Sequence, residues 1–230
     1  MTPPPVSQPR PGPGGDPPAP DEQRETQARS LDRLVFFSDA VVAIAITLLA
    51  LDLPVPEGDT AAAFWSSARD NAGHYAAFLI SFAVIAGAWS NHHDLFRYAR
   101  RTDSRLRTFT MIWLLMIVLT PFATKMLTVR GHETPGAQAL RFGFYAVLQV
   151  LQAGALLAML RHMMSEKQMP GLPPGAANGM AWAAYVVMLG FGLSIPLFFL
   201  TPRAWLLWIA FPLLAGALRR RLRRSRGAGG

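Results

Sequence analysis

The chain contains no cysteine, and only 16% of its 230 residues are charged. The first absence excludes disulfides, thiolate zinc sites, iron–sulfur clusters and a cysteine nucleophile. The second falls well below the roughly one quarter charged residues of a soluble domain. The shortage is uneven. Charges gather in short clusters separated by apolar runs of about 17–22 residues. A bilayer's hydrocarbon core needs about 20 apolar residues per helix. The mean hydropathy of +0.24 and the 51% hydrophobic content agree with a membrane class. Also missing are a paired acidic motif, a nucleophile elbow, a phosphate loop and a metal signature, so no motif supports an enzyme.

The net charge is +8. A basic chain raises the question of nucleic acid, but where the charge sits matters more than its sum. The densest basic run is Arg219, Arg220, Arg221, Arg223, Arg224 and Arg226, directly after an apolar segment. That is where a membrane protein places a cytoplasmic anchor near anionic headgroups. Nucleic acid is therefore not expected as a partner.

Residues 1–30 are Pro/Gly-rich and polar, and are expected to be a disordered cytoplasmic tail. They lack the short apolar core of a secretory signal, so the run from Leu34 to Leu53 reads as a retained span. Six spans are expected, at about 32–53, 73–96, 105–128, 140–161, 178–201 and 203–219, the last being short. They make up a channel-sized domain over 31–219, followed by a basic cytoplasmic tail at 220–230. Loop charges test this count. Arg29, Arg33, Arg97, Arg100, Arg101, Arg105, Arg107, Arg161, Lys167 and the C-terminal arginines fall on one side, with Arg69, Arg130 and Arg203 on the other. This positive-inside pattern puts both termini in the cytoplasm and requires an even number of spans. The fold class is thus an all-α, multi-pass six-helix bundle.

The first span, RLVFFSDAVVAIAITLLALDLPVP, carries Asp39 about two turns in. A mid-span Asp costs about 2.5–3.5 kcal/mol on insertion scales, so it belongs either to an ion pathway or to a buried hydrogen bond that locks helices. At 100° per residue Ile44, Thr47, Leu48 and Leu51 share a face, and Asp39 points roughly 140° away from Ile44. Asp39 is therefore expected to brace this helix from behind, on the side of Ala43, Ile46 and Ala50. The second span ends AWSNHHDLF, which offers an imidazole as a hydrogen-bond partner for Asp39, from His92 or His93 but not both, since the two lie 100° apart. No second ligand stands at helical spacing from the adjacent His92 and His93, which argues against a metal site. Thr47 is the sole hydroxyl on the Ile44 face. It either bonds back to its own helix or, in a symmetric oligomer, forms a hydroxyl ring between apolar rings of Ile44 and Leu51. Gln149 and Gln152 are expected to bond across helices, and Lys125 to reach the outer interface.

Arg33-x-x-x-Phe37-Ser38-Asp39-Ala40, followed by an Ile/Leu-rich helix, resembles the first helix of the transmembrane protein 175 family, potassium channels of endolysosomes and bacteria. Trp89-x-x-His92-x-x-x-Phe96 looks like that family's second helix, and Thr102-Asp103 and Pro121-Phe122 sit where that likeness puts them. The resemblance covers about the first half of the chain. It implies one six-helix repeat per chain, a homotetramer, and a first helix that lines a central pore. It implies a hydrophobic constriction at Ile44 with further layers at Thr47, Leu48 and Leu51. Arg33, Phe37, Ser38, Asp39, Trp89 and His92 map to the network that fixes the pore helix. The permeant is a potassium ion, no cofactor is implied, and the location is the bacterial cell membrane. The family lacks a Thr-Val-Gly-Tyr-Gly filter, as does this sequence.

The expectation is therefore a passive potassium-permeable channel. Its competitors are a proton-coupled secondary transporter using Asp39 and His92, and a non-conducting membrane scaffold. A transporter calls for a midplane site on broken helices, and no paired set of Gly/Pro breaks is evident.

Overall fold

Hydrocarbon offers backbone groups no water, so long apolar runs must close their hydrogen bonds internally as helices. The computed structural model describes residues 20–129, 134–201 and 203–227. Among them are seven helices and no strand: α1 (Pro20–Leu51), α2 (Ala61–Asp70), α3 (Ala72–Phe96), α4 (Ser104–Thr128), α5 (Pro135–Ser165), α6 (Ala176–Phe198) and α7 (Leu206–Gly227). Five of these, α1 from Glu25 onward and α3 to α6, are long and apolar enough to cross a membrane.

α7 differs. Its apolar part, Leu206 to Leu218, has 13 residues before Arg219, too few for the roughly 20 a span needs. It nevertheless returns along α6. The Trp208 indole donates to Ser194 Oγ at 2.8 Å, and the Arg219 guanidinium lies against Gly179 near the start of α6.

Two boundaries depart from the expected ones. α1 begins at Pro20, ahead of residue 31, because the polar run before the apolar one is itself helix-forming: Arg29 pairs with Glu25 one turn back at 3.2 Å. Residues 1–19, expected to be disordered, lie outside the described residues. At the other end the first residues of the basic segment continue α7 as far as Gly227. The short α2 falls in what reads as a loop, and the Thr60 hydroxyl caps it by accepting from the Ala63 amide at 3.2 Å.

Contacts between the helices give their directions. Tyr75, early in α3, donates to the Pro54 carbonyl just after α1, while Trp89, late in α3, meets Asp39 further back in α1, so the two are antiparallel. Lys125, late in α4, meets Asp52 just after α1, so those two run the same way. The α3–α4 and α5–α6 connections touch each other: the Arg100 amide donates to the Gln168 carbonyl at 3.2 Å, and Arg101 donates to the Glu166 carbonyl at 3.2 Å. Arg97, Arg100, Arg101, Lys167 and Arg219 thus gather at one end of the bundle, as the loop charges suggest.

Two cores hold it. One packs Leu31, Leu34, Val42 and Leu49 of α1 against Ile85, Trp113 and Met159. The other is aromatic, with the Trp208 ring stacked on Phe142, Tyr145 and Phe191 at 4.8–5.1 Å between centroids. Between them runs a buried polar chain. Thr124 donates to Ser81 Oγ at 2.7 Å, and Ser81 lies 3.0 Å from the Tyr145 hydroxyl.

Candidate functional site

α1 packs on α3 and α4 through one face only. Leu31, Leu34, Ser38, Val42, Ala45 and Leu49, three or four residues apart, are buried. The opposite stripe is open: Phe37, Ile44 and Leu51, seven residues apart, are 52%, 59% and 80% exposed, and Thr47 and Leu48 lie between them. The periodicity reading of the helix therefore holds, with Ile44, Thr47, Leu48 and Leu51 on one uncovered face. This face has no partner within a single copy of the chain among the described residues.

Thr47 Oγ1 donates to the Ile44 carbonyl at 2.8 Å. The back-bond uses the hydroxyl hydrogen and leaves both oxygen lone pairs as acceptors. The two expected roles of Thr47 are therefore compatible: its own helix fixes the rotamer while its oxygen stays available on the open face.

The Phe37-Ser38-Asp39 motif sends consecutive side chains in three directions, as 100° steps require. Phe37 stands in the open stripe, not against α3. Ser38 is buried and donates to the Leu34 carbonyl at 2.8 Å. Asp39, half-buried, accepts from the Trp89 indole at 2.8 Å. Arg33 is exposed, near the Phe37 side of the helix, at the basic end.

The hydrogen bond expected between Asp39 and His92 is not formed, and Trp89 takes that place. Trp89 and His92 are three residues apart, so their side chains diverge by about 60°. The imidazole turns instead into the core. It is fully buried between Phe96 and Trp113, each ring centroid 4.3 Å away, and it lies nearly parallel to the indole of Trp113 at 9°. Neither ring nitrogen has a hydrogen-bond partner among the described residues. His92 thus joins α3 to α4 by stacking, and Trp89 joins α3 to α1 by a hydrogen bond to a carboxylate.

A polar hub at the basic end plays a larger part than its sequence suggests. Asp103 caps α4, its Oδ1 accepting from the Leu106 amide at 2.8 Å, while its Oδ2 meets His162 Nε2 at 2.8 Å and accepts from Gln168 at 2.7 Å. Partial burial raises the Asp103 carboxyl, but the Leu106 amide, His162 and Gln168 outweigh it and hold it below the usual carboxylate value. The sequence signal was Asp before an apolar run, a capping pattern. Nothing in the spacing pointed to His162, which is 59 residues away.

Among the remaining polar residues, Lys125 pairs with Asp52 at 2.8 Å on the surface. Gln149 reaches across to Thr120 Oγ1 at 3.5 Å, while Gln152 makes no hydrogen bond among the described residues, with its Oε1 buried and unpartnered. Among the described residues no three His, Cys, Asp or Glu side chains cluster to hold a metal.

The chain is similar to known potassium channels in sequence and in fold. The family profile described as "Endosomal/lysosomal potassium channel TMEM175" matches residues 33–121, the α1–α4 segment that holds the open stripe and its Trp89 anchor. A potassium channel of Streptomyces collinus is 32% identical over 171 residues, covering 74% of this chain and 82% of the relative. One from Chamaesiphon minutus is 39% identical over 108 residues, 46% of this chain and 51% of the relative. Among solved structures, a lysosomal potassium-selective channel TMEM175 homologue from Chamaesiphon minutus superposes with a TM-score of 0.66 at 26% identity, over 84% of this chain and 98% of the other.

Proposed function

The chain belongs to the TMEM175 family, and from that premise we propose how it conducts potassium: four copies surround an axis lined by α1. As a potassium channel it performs a non-enzymatic function, and its apolar helices make it a multi-pass membrane protein. The observation that carries the pore reading is the uncovered stripe of α1. Phe37, Ile44 and Leu51 stand open on the helix whose other face is packed. Placed around an axis, the stripe gives apolar rings at Ile44 and Leu51 with the Thr47 oxygens between them. Ions pass by diffusion through a partly dehydrating apolar constriction, the hydroxyl oxygens replacing some of the lost hydration. Trp89 braces the pore helix from α3 through Asp39, His92 ties α3 to α4 behind it, and Ser38 lies on the packed face of α1, with Arg33 at its basic end.

The membrane arrangement follows the same logic. α7, with the turn before it, is the sixth crossing, and the basic end is cytoplasmic by the positive-inside pattern. Both termini then face the cytoplasm of a bacterial cell, in its cell membrane, with the α7 arginines near anionic lipid headgroups. Potassium is the permeant and no cofactor is needed. A proton relay through Asp39 and His92 is disfavoured, because the buried imidazole has no hydrogen-bond partner among the described residues. A scaffold that does not conduct leaves the family membership without a role.

The test is Ile44→Ser in liposomes. Potassium flux should rise and the preference for potassium over sodium should fall, because a small polar ring dewets less readily. Unchanged fluxes of both ions would remove Ile44 from the pore.

A further inference from the structure

Between α3 on one side and α6 and α7 on the other, over α5, lies a cavity of about 370 Å³. That volume falls within the roughly 300–1,000 Å³ of small-molecule sites. It exists because α3 turns a face of small side chains, Ala83, Gly87 and Ala88, toward it. A side chain added at Gly87 would meet nothing within 4 Å. α3 packs on α1 and α4 and only lightly on α5. Ala83 and Gly87, with Ile209 and Leu213 of α7, are exposed at the rim.

Small residues alone would make this a gap between helices. What marks it as a site is the polar chemistry of its floor. Gln149 and Gln152 line it while being 1% and 2% exposed, and both amide oxygens are unpartnered. Buried polar groups left unpaired are costly. The two glutamines stand near the middle of the 31-residue α5, at the depth of the bilayer core. Pro212 of α7, also on the wall, lacks the N–H that would bond the Trp208 carbonyl one turn back. The cavity is thus apolar, with amide groups on its floor, and set at a depth that excludes ions.

We propose that this cavity binds a neutral, membrane-soluble amphiphile, an alcohol whose chain fills the space beside Gly87 and whose single hydroxyl hydrogen is donated to the Gln152 amide oxygen. An unpaired amide on an apolar floor selects a ligand with one hydrogen-bonding group, and the midplane depth selects against a phospholipid headgroup. The inference rests on α3, α5, α6 and α7 and is independent of the pore assignment to α1.

The experiment is photolabelling of the full chain in liposomes with an octanol that carries a diazirine on its chain. Labelling should concentrate on α3 at Ala83–Gly87 and on α5 around Gln152. Excess octanol should protect against it and octane should not. Gln152→Leu removes an amide that has no internal partner and should weaken labelling by about tenfold, the loss of one buried hydrogen bond. Gly87→Leu, which fills the space without touching the amides, should abolish it. Potassium flux from each variant shows that it folds. Labelling spread evenly over lipid-facing residues such as Leu79 and Leu151, protection by octane equal to that by octanol, or unchanged labelling in Gln152→Leu would each overturn the proposal.

Discussion

Replacing Trp89 with Phe keeps most of the ring on α3 and deletes only the N–H that meets Asp39. In the intact protein that bond is 2.8 Å long and is the one hydrogen bond of the Asp39 side chain among the described residues. A hydrogen bond to a charged group contributes about 1.5–3 kcal/mol. Trp89 is 39% exposed, so the bond is only partly shielded and the lower end, about 1.5 kcal/mol, applies. That corresponds to roughly a tenfold change in the folding equilibrium. Equilibrium unfolding in mixed micelles, read by circular dichroism, should show this shift for Trp89→Phe. The contact itself is isolated by a cycle with Asp39→Ala. If the two side chains act through one bond, the double variant should cost about 1–1.5 kcal/mol less than the sum of the singles. Strict additivity would refute the pairing. It would return Asp39 to the list of groups that act on the ion rather than on the helix.

Two further outcomes follow from the structure. The Asp103 carboxyl is held below the usual value of 3.8, so its stabilisation is complete above that pH and is lost as pH falls below it. The parent protein should therefore weaken more steeply in acid than Asp103→Ala, which also loses about 1–2 kcal/mol of helix capping at neutral pH. Parallel acid limbs in unfolding measured against pH would exclude the role given to the hub. Lys125→Ala should cost at most about 1 kcal/mol, an effect that disappears in high salt, because the pair with Asp52 is largely exposed. A larger, salt-independent loss would mean that the pair is buried in the assembly.

The sequence carried the helices wherever periodicity and hydropathy act locally. The ends of α3 and α4 fall within a residue or so of the expected 73–96 and 105–128. The Ile44 face was legible because angle along a helix follows from residue number alone. What the sequence did not carry is the meeting of helices. Asp39 bonds Trp89 rather than His92 because of the rotation of α3 about its axis, which hydropathy leaves free on a helix apolar nearly all round. Asp103, His162 and Gln168 converge from three segments of the chain, and only packing brings them together. The groove beside Gly87 was equally hidden. Its small residues look like a surface for close packing, and only the tertiary arrangement reveals that no helix fills it. α2 was missed because its ten residues are neither strongly apolar nor buried.

The account stands most directly on ion flux from liposomes that hold the purified wild-type protein, with potassium and sodium measured side by side and no proton gradient. It predicts fast passive potassium flux that exceeds sodium flux and does not saturate as a carrier would. Flux that appears only when protons are driven across, or no flux at all, would contradict it.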